Sequence, residues 1–91
     1  MIDLTTVRVL KGSHVESSKG TCEMELVALW AGLRKSYYPE CACPVIAEAV
    51  VCINDSLPDD ETRTRLLRPL TERIATSKST PEVERARAYI A

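Results

Sequence analysis

Residues 21–57 constrain the fold of this chain more than any other part of it. The stretch TCEMELVALWAGLRKSYYPECACPVIAEAVVCINDSL holds all four cysteines, the sole tryptophan, two of the three tyrosines and most of the strongly apolar sequence. Two apolar runs flank a polar, aromatic interruption that contains Pro39. In the first run Cys22, Leu26, Leu29, Trp30 and Leu33 recur at helical spacing, with Thr21 as expected N-cap and Glu23 in the dipole-favoured first turn. In the second, Pro44 suits a first helical turn, and Ile46, Ala49, Val50, Ile53 and Leu57 continue the repeat. The expectation is two helices, Cys22–Leu33 and Pro44–Leu57, folded as an antiparallel hairpin about the turn 34–43. Glu25 interrupts the apolar surface of the first helix, so it is expected either at the edge of the buried face or paired with an arginine.

The rest of the chain must cover that hairpin. Thr5–Leu10 is β-prone and reads as a short strand or an extended arm. A lone strand is unstable in water, so it lies across the helices, pairs with a second strand or pairs with another copy of the chain. Residues 11–20, with two glycines and three serines, are a loop carrying His14. Pro58 ends the second helix, and Asp59 or Asp60 caps a third over 60–75. Its inner stripe is read as Leu66, Leu67, Leu70 and Ile74, with Arg63, Arg65, Arg68 and Arg73 mostly outside and a kink or a break near Arg68, caused by Pro69. Thr80-Pro81 opens a last short helix whose apolar edge is Val83, Ala86, Tyr89 and Ile90. The fold class is therefore mainly α: a central antiparallel helical hairpin, two further helices and a short N-terminal β-strand or extended arm. The 91 residues are read as one small helical domain.

Composition narrows the function classes. Twelve basic residues against thirteen acidic ones give a net charge of -1, which offers no general attraction for a phosphate backbone. Glu61 and Glu72 dilute the arginines of the third helix, and the chain has no glutamine to read bases. Nucleic-acid binding is kept open only as an alternative reading. No apolar run is long enough to span a membrane and the N-terminus lacks a secretory pattern, so a cytoplasmic location is expected. In that compartment the cysteines are thiols. No glycine-rich phosphate loop, serine nucleophile elbow or HExxH pair is present, so neither enzyme activity nor a cofactor is expected.

The cysteine spacing does not suit one metal. In an antiparallel hairpin Cys22 lies near Cys52, while Cys41 and Cys43 lie at the other end, about 15 Å away at 1.5 Å rise per residue. No metal site is expected, with His14, Cys22 and Cys52 as the residual alternative. Cys43, at a helix N-terminus, is the most reactive thiol by position. The turn itself is the favoured contact surface. Tyr37 and Tyr38 beside Arg34 and Lys35 make a composition suited to protein recognition.

One pattern goes beyond these readings. Gly20-Thr21-Cys22-Glu23-Met24-Glu25, Ala28, Ala31-Gly32, Pro39-Glu40-Cys41-Ala42-Cys43-Pro44-Val45-Ile46, Asn54-Asp55 and Leu57-Pro58-Asp59 resemble a group of small uncharacterised proteins of actinobacteria and actinobacteriophages. The similarity extends back to Val9-Leu10 and His14, and forward over Leu66–Leu70. It implies a compact cytosolic protein from an actinobacterial or phage setting. The group has His-Pro where this chain has Tyr38-Pro39, which puts in question any site built on that histidine. The combined expectation is a small protein-binding module, phage-encoded and modulating an unidentified host protein. The alternatives are a self-associating structural protein pairing through its N-terminal strand, a metal or thiol site, and a nucleic-acid accessory protein.

Overall fold

The computed structural model describes residues 4, 6–11 and 20–90, and it is mainly helical. The helices are α1 (Glu23–Trp30), α2 (Pro44–Ser56), α3 (Asp60–Leu67), α4 (Thr71–Ala75) and α5 (Pro81–Ile90), with a 3-10 turn at Arg68–Leu70. The expected third helix is thus broken where Pro69 removes a backbone donor.

α1 and α2 form the expected antiparallel pair: the backbone N–H of Glu23, at the start of α1, donates to Asn54 Oδ1, near the end of α2 (3.0 Å). α1 is shorter than expected at both ends. Cys22, not Thr21, is its N-cap. The Glu25 side chain reaches back to the Cys22 N–H (3.1 Å), making a capping box with a thiol in place of the usual hydroxyl. At the other end Gly32 takes φ +76, while Gly32 N–H bonds Leu29 C=O (3.0 Å) and Leu33 N–H bonds Ala28 C=O (2.9 Å). This pair of bonds with a left-handed glycine is a Schellman ending.

α1 is buried on all sides from Glu23 to Ala28. Met24 and Val27 join Ala42, Ala47, Val50, Ile74 and Ala75 in one cluster. Leu26 meets Val9 and Leu67 in a second. The expected stripes on the other helices are rotated. On α2 the buried residues are Ala47, Val50 and Asn54, whereas Ile53 is 48% exposed. On α3 and α4 they include Arg63, Leu67, Thr71 and Ile74, whereas Leu66 is 45% exposed. α5 leaves Val83 and Tyr89 exposed and docks through Arg87, which donates to Ser77 C=O (2.8 Å). In each case a polar side chain with partners takes the inward position, because burying it satisfied is compatible with a close-packed interior.

The described residues of the N-terminal segment form an arm that carries one isolated β-bridge. Val9 makes a single β-bridge to Thr21, through Leu10 N–H to Thr21 C=O (2.8 Å) and Thr21 N–H to Arg8 C=O (3.1 Å). The Val9 N–H donates to Thr64 Oγ1 (2.9 Å). Gly20 allows this approach. It sits at φ +118, and a Cβ there would fall 2.5 Å from Arg8 O.

Candidate functional site

The favoured turn separates into an inner and an outer half. Tyr37 packs against the first core cluster, so it anchors the turn instead of facing a partner. Tyr38 is 53% exposed. Its hydroxyl donates to Glu48 Oε2 on α2 (2.5 Å), and its backbone N–H is held by Ser36 Oγ (3.0 Å). That bond to Glu48, together with some burial and the carboxylate charge, holds the phenol above its ordinary pKa. Arg34 is exposed, while Lys35 is half-buried and has an interaction of its own. Leu33, Arg34, Ser36, Tyr38, Pro39 and Glu40 line an open groove of about 310 Å³. Of the four expected contact residues, Arg34 and Tyr38 therefore share one open surface.

Behind the groove the turn is fixed from outside. Lys78 N–H donates to Cys41 C=O (3.2 Å), and Cys43 N–H donates to Ser77 Oγ (2.8 Å). The segment linking α4 to α5 is thus tied directly to the turn between α1 and α2.

The cysteines do not converge. Cys22 and Cys43 are buried, Cys41 is half-buried and Cys52 is exposed. Burial pushes the Cys22 thiol up to about 12, the opposite of what a thiolate ligand needs. Among the described residues no group of three or more His, Cys, Asp or Glu is arranged to hold a metal ion. His14 lies outside the described residues. At Cys43 burial raises the thiol pKa, but the N–H groups of Ile46 and Val45 and the Arg87 guanidinium outweigh it and leave the pKa below the ordinary value. The side chain is nonetheless closed to solvent.

A second constellation escaped the sequence reading. Glu23 is 0% exposed, and one of its carboxyl oxygens, Oε1, has no hydrogen-bond partner among the described residues. Burial raises its pKa to about 8, with the Thr71 hydroxyl pulling weakly the other way. Thr71 Oγ1 lies 3.0 Å from Glu23 Oε2 and 2.9 Å from Arg68 C=O. A hydroxyl has one proton to give, so a protonated Glu23 can donate to Thr71 while Thr71 donates to the carbonyl.

Beside Glu23, Asn54 joins four segments. Its Oδ1 accepts from Glu23 N–H, its Nδ2 donates to Leu10 C=O (3.1 Å), and its own C=O accepts from Arg63 Nε (2.6 Å). Arg63 was expected outside but is 4% exposed. It also donates to Leu57 C=O and to Asp60 Oδ1, each at 2.6 Å. This arginine closes the end of α2 onto α3. The only sequence signal for the network was the run Gly20–Glu25 together with Asn54-Asp55, which the structure brings to one place. No helix among the described residues is long and apolar enough to cross a membrane.

Comparisons with protein-family models, curated proteins and solved structures found no match.

Proposed function

We propose that this chain is a small, non-enzymatic protein-binding module whose contact surface is the turn after α1. One observation carries the reading. Tyr38 stands half-exposed beside Arg34 and Leu33 around an open groove, on a turn held by Tyr37 within and by Ser77 and Lys78 outside. Aromatic and arginine side chains on a pre-formed surface supply contact area at low ordering cost. The resemblance to actinobacterial and actinophage proteins supports a cytoplasmic setting and a host protein as the partner. Self-association through the arm is the weaker reading, because the Val9 N–H facing away from Thr21 is already taken by Thr64. The test is affinity capture from an actinobacterial lysate with the native chain, Tyr38→Ala and Arg34→Ala in parallel. A partner retained by the native chain and lost by both variants is expected. Equal retention by all three would remove the turn as the contact surface.

A further inference from the structure

The arm and α3 together build a positively charged groove. Arg8 on the arm faces Glu61, Thr64, Arg65 and Arg68 on the helix and its 3-10 extension, with Pro69 at the end, around an open volume of about 580 Å³. Among the described lining residues, three arginines against one glutamate leave two net positive charges, on a chain whose net charge is -1. The backbone beneath Arg8 is fixed on three sides. Arg68 donates to Val7 C=O (3.0 Å), Thr64 Oγ1 accepts from Val9 N–H, and Thr21 N–H bonds Arg8 C=O. Arg68 is thereby a positioning residue. The Arg8 and Arg65 side chains make no hydrogen bond or ion pair with any other described residue, and both residues are exposed.

We propose that this groove binds an acidic segment of a partner protein, with side-chain carboxylates seated on Arg8 and Arg65. A guanidinium matches a carboxylate in two parallel hydrogen bonds. The groove is open and shallow, which suits an extended chain better than an enclosed small molecule. A nucleic-acid backbone fits less well. Its closely spaced phosphates would meet Glu61 within the groove, and Asp59 and Asp60 at the start of the same helix. A peptide can place its carboxylates on either side of Glu61. This surface is separate from the Tyr38 turn, and the proposal does not depend on it.

The test is fluorescence anisotropy with a labelled short peptide rich in glutamate, at low ionic strength. Saturable binding that weakens as salt is added is expected. The double variant Arg8→Ala, Arg65→Glu is expected to bind at least about tenfold more weakly, about 1.4 kcal/mol. Its circular dichroism and melting should match the native chain, since both residues are exposed. Arg65→Lys should keep most of the binding, and Tyr38→Ala all of it. Absence of binding, or binding indifferent to the double variant, would overturn the proposal. So would a labelled single-stranded oligonucleotide of equal charge that binds more tightly through the same two arginines.

Discussion

The two ends of α1 are finished by different means. At the first turn, Glu25 of the same helix takes the Cys22 N–H and side chains from distant segments converge: Asn54 takes the Glu23 N–H, Thr71 meets the Glu23 carboxyl, and Arg63 secures Asn54 from behind. At the last turn no side chain is needed. Gly32 adopts a left-handed conformation and the backbone closes on itself. The first end binds the fold together and has little tolerance for change, because its polar groups are buried and most depend on a neighbour. The second end only stops a helix, so the residues after it are free to differ. A protein that must present a variable surface on a stable frame gains from keeping these demands apart.

The comparison breaks most visibly at Arg63. Replacing it with alanine strips the buried Asn54 carbonyl, the part-buried Leu57 carbonyl and Asp60 of a donor. A loss of about 3–5 kcal/mol is expected, a large share of the stability of a domain this size. Urea denaturation followed by circular dichroism measures it. A loss below about 1 kcal/mol would show that the polar end does not hold the fold together.

Glu23 makes the same end sensitive to pH. Its pKa is raised from an ordinary 4.5 to about 8 on folding, so the folded chain keeps a proton that the unfolded chain releases. The stability contributed by Glu23 is therefore full below about pH 4.5, falls as the pH rises from there towards about 8, and levels off beyond. Between pH 4 and pH 7 the decline is expected to be on the order of 3 kcal/mol. Glu23→Gln can still donate to Thr71 and should flatten this part of the profile. An unchanged pH profile in the variant would mean that the carboxyl ionises in the folded state as freely as in water.

Two glycines give the smaller test. Gly20→Ala places a methyl 2.5 Å from Arg8 O and is expected to cost about 2 kcal/mol, with faster hydrogen exchange at Leu10 and Thr21. Gly32→Ala meets nothing within 4 Å and carries only the cost of its positive φ, about 1 kcal/mol. Equal losses would mean that the arm has no close approach to protect.

Much of this division was legible in the sequence. Periodicity located both members of the hairpin, Pro44 marked the start of α2, and Pro69 marked the break between α3 and α4. The errors share one cause. Reading every aliphatic residue as inward turned α2 towards Ile53 and α3 towards Leu66, whereas the interior holds Asn54, Arg63 and Thr71. Pattern alone cannot separate a buried polar residue from a solvated one, because the distinction lies in partners supplied by remote segments. Glu23 shows this plainly. A carboxylate in a first helical turn is ordinarily a dipole partner facing water, and only the closure of α4 over it makes it an internal acid. In the turn, composition singled out Arg34 and Tyr38, which are exposed. The division of labour between Tyr37 and Tyr38 was not, since it depends on which ring faces α2.

The contacts of Thr64, Arg68 and Thr71 carry a consequence for folding. Thr64 meets Val9, Arg68 meets Val7 and Thr71 meets Glu23 across sequence separations of 55, 61 and 48 residues. Helical proteins ordinarily fold through local contacts and fold fast. Here the central helix cannot bury its first turn until α3 and α4 have been synthesised. A nascent chain halted before Thr64 would carry the arm and the hairpin without the groups that join them. The commitment to fold waits on the segment 64–71.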